Sequence, residues 1–220
     1  MNRIALPPSP RRTARRLLAA GLLGAAVLVT GLLAPGIVTA AAAPAGVSAK
    51  VHETAAALPT APPTAGPPTA ADGLIAAGQV VSVFDDRVPA VANLNAVLLA
   101  AVRRAATDAA ASGIRFQVNS GWRSPKLQAW MLRQAIADYG SKAAAERWVA
   151  TPEASEHVKG EAIDLGPSAA DDWLERHGAA YGLCRIYANE AWHFELRPRA
   201  VTDGCPAMYA DPSHDPRLQQ

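Results

Sequence analysis

Beyond its first 43 residues the chain has no tract rich in lysine or arginine. That absence removes the electrostatic footprint expected of a nucleic-acid-binding protein. The formal net charge of +2 comes from the N-terminus, where Arg3, Arg11, Arg12, Arg15 and Arg16 stand with no acidic residue. Setting those five aside from the 21 basic residues leaves 16 against 19 acidic ones, so the remainder is near −3. Cysteine is nearly absent, with only Cys184 and Cys205. Neither has a close Cys or His neighbour, which disfavours a metal site built on the cysteines alone, although Cys184 precedes His193 by nine positions. In an exported chain an even number suggests a disulfide. It would close a loop worth ~3 kcal/mol in the loop-entropy picture. The alternative is a pair of buried thiols. No repeat appears at a solenoid period, and the helical His-Glu-x-x-His arrangement of many zinc peptidases is missing.

Large apolar residues are scarce in 44–71, which holds six prolines with many alanines and threonines. Such a segment cannot bury a core and reads as an extended linker. Before it, residues 1–43 have a basic start, an apolar run over Leu17–Ala34, a Pro35-Gly36 break and small-x-small sites near Ala40–Ala43. This is the layout of a secretory signal peptide, or of a signal anchor if uncleaved. Either places the rest outside the cytoplasm, with a membrane involved only through this segment.

The folded part is expected over 72–210, with 211–220 as a solvated tail. Apolar spacing predicts a helix over Pro89–Ser112, stopped by Gly113. Alternation over 114–119 predicts a strand. Ser124-Pro125 starts a helix that runs to about Tyr139 and ends at Gly140, and Ser141–Ala150 reads as another. Ala162–Leu165 and Trp192–Leu196 read as strands, and Ser168–His177 as a helix. All five tryptophans fall between Trp122 and Trp192, which marks the heart of the domain. The pattern implies an α+β domain: a small antiparallel sheet flanked by helices.

The chemistry gathers in Ser155-Glu-His-Val-Lys-Gly-Glu-Ala-Ile-Asp164 and in Asn189-Glu-Ala-Trp-His193. Two histidines and one carboxylate, His157, His193 and Asp164, are a common ligand set for catalytic zinc, because three protein ligands leave one position open. Glu190 precedes His193 by three and would sit in the turn before it. A carboxylate beside the metal, not on it, suits a general base. Taken singly, each residue has a plainer reading: a loop histidine, a cap, a half-buried strand histidine. His52, His177 and His214 carry no motif and fall to linker, helix end and tail.

Ser155–Asp164 resembles the Ser-x-His-x-x-Gly-x-Ala-x-Asp signature of the VanY-like zinc D-alanyl-D-alanine carboxypeptidases. Asn189–Glu195 is similar to that family's Glu-x-Trp-His block. Ser120-Gly-Trp-Arg-Ser-Pro-Lys-Leu-Gln128 resembles its Ser-Gly-Tyr-Arg-Ser…Gln segment, with Trp122 where the family has tyrosine. The resemblance implies one zinc ion per chain on His157, Asp164 and His193, with Glu190 as base and then acid. It implies that Arg123 holds the substrate carboxylate or the developing oxyanion, and that Gln128 and Ser155 line the pocket. The fold implied is that of the DD-peptidase and hedgehog-like group, with the metal on the sheet. The activity implied is removal of D-alanine from peptidoglycan stem peptides, and the protein is expected to be a monomer. L,D-carboxypeptidase and endopeptidase activities, and a non-catalytic zinc-containing wall-binding module, are the alternatives. Glu156 and Glu161 add acid beside the ligands and read as solvated, offset by Lys159.

Overall fold

The structure, a computed structural model, describes residues 66–219. The expected signal segment, His52 and most of the expected linker lie outside the described residues. Among the described residues no helix is long and apolar enough to cross a membrane.

Helices α1 (Pro89–Ala92) and α2 (Ala96–Ala110) occupy the stretch where one continuous helix is expected. The break is made by Asn95. Its side-chain oxygen accepts from the backbone N–H groups of Val97 and Leu98, so it caps α2. Its own N–H is used elsewhere, on the carbonyl of Gly160. Strand β1 (Gln117–Ser120) starts later than the alternation suggests. Helix α3 (Pro125–Tyr139) has the expected ends: Ser124 accepts from Leu127 N–H, and Gly140 stops it at φ 82°. The next helix is shorter than expected. Ser141 caps α4 (Lys142–Ala145), after which Trp148 turns in to stack on Tyr139 with ring centroids 6.1 Å apart.

A single turn, α5 (Glu156–Lys159), then leads into β2 (Ala162–Gly166). Helix α6 (Ser168–His177) matches its expected bounds. Strand β3 (Leu183–Arg185), which the periodicity does not reveal, precedes β4 (His193–Leu196) and a short α7 (Ala200–Asp203). The four strands form one antiparallel sheet in the order β1-β2-β4-β3. The architecture is therefore α+β, as the pattern implies.

Alternation divides the sheet into two faces. Ile163, Leu165, Leu183 and Phe194 are buried against Leu98, Val102 and Ala105 of α2 and against Trp173 and Leu174 of α6. The opposite face carries Asp164, His193 and Glu195, all buried. A second apolar cluster joins α3 to α4 through Leu127, Met131, Leu132, Ala145 and Val149. Cys184 and Cys205 form a disulfide, with Cα atoms 5.5 Å apart.

The C-terminal segment differs from expectation. Instead of a solvated tail, it folds back as two short 3-10 turns, Pro212–His214 and Pro216–Leu218. Asp211, Pro212 and Asp215 are buried. Each turn begins with an aspartate N-cap before proline, which satisfies backbone donors and makes the segment rigid enough to pack. His214 is part of this arrangement, with Nδ1 at 2.8 Å from Asp211 Oδ1.

Burial alone would raise the pKa of Asp211. Hydrogen bonds from Ser213, His214 and Arg147 outweigh burial and hold it at about 2, below the usual 3.8. A depressed carboxylate stabilises the fold above its unfolded pKa, and the effect fades as the pH falls through the folded value. The stability gap between wild type and Asp211→Asn should therefore be full above pH 4 and should shrink by roughly 1–2 kcal/mol towards pH 2. Urea midpoints across that range measure it, and a gap independent of pH would refute the assignment.

Candidate active site

Register places the first pair. Asp164 lies directly opposite His193 in the β2–β4 ladder, and Ala162 lies opposite Glu195. All three polar side chains thus leave the sheet on the face away from α2. His157 comes from α5, which is held at both ends. Gly160 adopts φ 76°, and a Cβ there would lie 2.8 Å from the carbonyl oxygen of Asn93. Its own carbonyl accepts from Asn95 N–H at 2.9 Å. On the other side, Arg123 N–H donates to the His157 carbonyl at 3.1 Å. Gly121 must also be glycine, because a Cβ would sit 2.1 Å from the carbonyl oxygen of Ala90. Glu190 occupies the turn before β4, as expected, with His193 N–H donating to its carbonyl at 3.3 Å.

The imidazoles are oriented by their outer nitrogens. His157 Nδ1 is 2.8 Å from the Gly121 carbonyl oxygen, which can only accept, so the proton sits on Nδ1 and Nε2 faces inward as a lone pair. His193 Nε2 is 3.2 Å from Glu195 Oε1, which leaves Nδ1 facing inward. These inner nitrogens are 3.2 Å apart. Asp164 Oδ1 lies 3.2 Å from His157 Nε2 and 3.1 Å from His193 Nδ1. One ligand atom from each of the three residues falls within 4.8 Å of the others. Two inward nitrogens and a carboxylate oxygen repel unless positive charge lies among them, so this donor set fits a metal ion.

The electrostatics agree. Burial alone would lower the pKa of His193, but its hydrogen bonds to Asp164 and Glu195 push it up to about 10. Burial works to raise Asp164, yet His157, His193 and Arg123 hold it well below the carboxylate range. His157 is lowered, first by burial and then by the charge of Arg123. Glu190 differs from Asp164. Burial pushes its carboxyl up to about 8, with the charge of Asp164 adding to the rise. Its Oε1 is buried without a hydrogen-bond partner, while Oε2 lies 3.7 Å from His193 Nδ1.

Arg123 is 7% exposed and is pinned along its whole fork. Nε donates to Ser120 Oγ at 2.7 Å, Nη1 to Gln128 Oε1 at 3.2 Å, and Nη2 to Asp164 Oδ2 at 2.6 Å. Gln128 is not an exposed helix residue. It is buried, and its Nε2 donates to the Ala150 carbonyl at 2.8 Å. With Ser155, Trp148, Trp192, Pro212 and Leu218 it lines a cleft of about 80 Å³, whose floor carries the two histidines, Asp164 and Glu190. Trp122 is not among the residues lining that cleft. Glu161 is not simply solvated, since it accepts from Asn95 Nδ2 at 2.9 Å, and Glu156 pairs with Lys159 at 3.0 Å.

Residues 92–199, which carry His157, Asp164, His193, Glu190, Arg123, Gln128 and Ser155, match the family model described as VanY, D-alanyl-D-alanine carboxypeptidase. The domain belongs to the VanY-like family. A D-alanyl-D-alanine carboxypeptidase of Enterococcus faecalis (strain ATCC 700802 / V583) is 31% identical over 113 residues. That match covers 40% of this chain and 42% of the relative, so less than half of either protein is compared. Among solved structures, the vancomycin resistance D,D-pentapeptidase VanY from a VanB-type cassette, in complex with Zn(II), is 26% identical. It covers 47% of this chain and 72% of its own, with a TM-score of 0.45. The L,D-carboxypeptidase DacB from Streptococcus pneumonia is 25% identical, over 51% of this chain and 71% of its own, with a TM-score of 0.42.

The VanY-like domain brings His157, Asp164, His193, Glu190, Arg123, Gln128 and Ser155 to one cleft, and it contains the Cys184–Cys205 disulfide. Sequence reasoning missed Glu195, Tyr187 and Arg217. Glu195 had a signal, because in a strand it shares the face of His193 two positions earlier. The tail had one as well: its two Asp-Pro pairs are N-cap signals of ordered turns.

Replacing His157 by alanine removes one of the three converging donors. Metal affinity should fall by about 100-fold or more, measured by competition with a chromophoric chelator. Unchanged affinity would mean that the ion binds elsewhere.

Proposed function

We propose that this chain is an exported zinc carboxypeptidase that removes the terminal D-alanine from D-alanyl-D-alanine-ended stem peptides of peptidoglycan. One observation carries the reading. Three convergent donors, His157 Nε2, Asp164 Oδ1 and His193 Nδ1, stand beside a buried Glu190 oxygen that has no partner. A purely structural zinc site usually recruits four protein ligands and needs no spare carboxylate. The family match and the name of the Enterococcus faecalis relative support the substrate class. The N-terminal layout supports export, since that substrate lies outside the membrane.

The two histidines and Asp164 would hold the ion. Zinc bound there supplies Lewis acidity for the scissile carbonyl and lowers the pKa of nearby water. Glu190 takes the proton from the attacking water and passes it to the leaving amine of D-alanine. Burial favours this role, because it pushes the carboxyl above the ordinary glutamate range and so makes it a stronger base than a solvated one. Arg123 has two roles in this reading. One Nη2 hydrogen holds Asp164 in place. Two of its five N–H groups remain outside its three side-chain bonds, and we assign them to the substrate carboxylate or the developing oxyanion. Gln128, fixed between Arg123 and Ala150, and Ser155 shape the pocket.

The full-length protein, loaded with zinc, is incubated with muramyl pentapeptide and separately with tetrapeptide, with and without chelator, and the products are weighed. Chelator-sensitive loss of one alanine from the pentapeptide is expected. Loss only from the tetrapeptide would make it an L,D-carboxypeptidase, and zinc binding without cleavage of either would favour the endopeptidase or wall-binding alternatives. Glu190→Gln should keep zinc and lose 10²–10⁴-fold in kcat, roughly the contribution of a general base. Full turnover by that variant would remove Glu190 from its role.

A further inference from the structure

The family match ends at residue 199, yet residues beyond it reach a ligand histidine. Glu195 is fully buried, and its Oε1 accepts from His193 Nε2. Arg217 holds that carboxylate by two contacts, Nη1 to Oε2 at 2.8 Å and Nη2 to Oε1 at 3.4 Å. Arg197 also binds Oε2. Arg217 is itself held by Asp215, through Nε at 3.0 Å and through Nη2. Asp215 Oδ2, which accepts from Arg217 Nη2, also accepts from the Tyr187 hydroxyl at 3.0 Å. The ring of Tyr187 lies against His193, with centroids 4.9 Å apart. The 215–217 turn therefore meets the His193 imidazole twice, at its outer nitrogen through Glu195 and on its face through Tyr187.

We propose that the C-terminal segment 211–218 is a positioning clamp for His193, with Arg217 and Asp215 as positioning residues that act through Glu195 and Tyr187. This inference rests on the reading of His193 as a metal ligand. The argument is one of geometry and charge compensation. An imidazole offers Nδ1 to the site only while an acceptor holds the hydrogen on Nε2. That acceptor, Glu195, stays buried as an anion only if cations offset its desolvation. Removing Arg217 leaves Glu195 with Arg197 alone, and Arg197 does not connect to Asp215 or Tyr187. The carboxylate is then free to move, and the ring loses its fixed orientation.

The test uses the full-length protein and zinc alone, with affinity read by chelator competition. Cobalt spectra serve as a probe of coordination. In Arg217→Met, zinc affinity should fall by roughly 10–100-fold, the range for loss of support behind a ligand. The cobalt d–d bands should shift, and Arg217→Lys should recover part of both changes. Thermal unfolding of the metal-free variants is measured in parallel. Should Arg217→Met not fold, Asp215→Asn decides, with an affinity several-fold below wild type expected. Failure of the wild type to bind either ion would sink the metal reading and this inference with it. Tight binding by wild type with equal affinity and identical cobalt spectra in the folded variant would overturn the clamp alone.

Discussion

The site depends on one register. Asp164 and His193 face each other across β2 and β4, and both point to the same side of the sheet. A slip of a single residue would send Ile163 and Phe194 into the cleft and the two ligands into the apolar layer under α2. The same alternation that builds the core therefore builds the donor cluster proposed to hold the metal. Ile163 and Phe194 are completely buried on one face, so the register is stabilised by hydrophobic burial and not by the polar residues themselves. The charged groups then need only be compensated where they stand. Arg123 does this for Asp164, and Arg197 and Arg217 do it for Glu195.

His157 reaches the site by a different route. It rides on one helical turn, too short to hold its shape alone. The surrounding backbone holds it. Gly160 fits against the Asn93–Asn95 break, Gly121 presses on Ala90, and Arg123 N–H caps the His157 carbonyl. The interruption between α1 and α2 has a purpose in this light. A continuous helix would have its N–H at position 95 occupied internally, with none left for the carbonyl of Gly160.

Much of this was legible in the sequence. Ser124 and Gly140 bound α3 because capping is local chemistry. The motif blocks pointed to His157, Asp164 and His193, the three residues whose donor atoms converge in the fold. What stayed hidden depended on tertiary partners. The strand Leu183–Arg185 is too short to show a period, and its apolar residues are interpreted only once β4 is beside it. The division of the first long helix turned on Asn95, which reads as an ordinary helix residue until Gly160 is placed opposite. The tail misled because a polar composition suggests solvent, whereas its aspartates and arginine serve as caps and counter-ions for a buried carboxylate.

Glu190 has a further consequence. Burial takes the Glu190 carboxyl out of water and pushes its pKa up, so the folded state carries a desolvation cost at this position. The working molecule is therefore less robust than a version with its cleft filled by an inert side chain. Selection for toughness alone would erase this residue, and its presence fits the reactive role proposed for it, at the expense of durability.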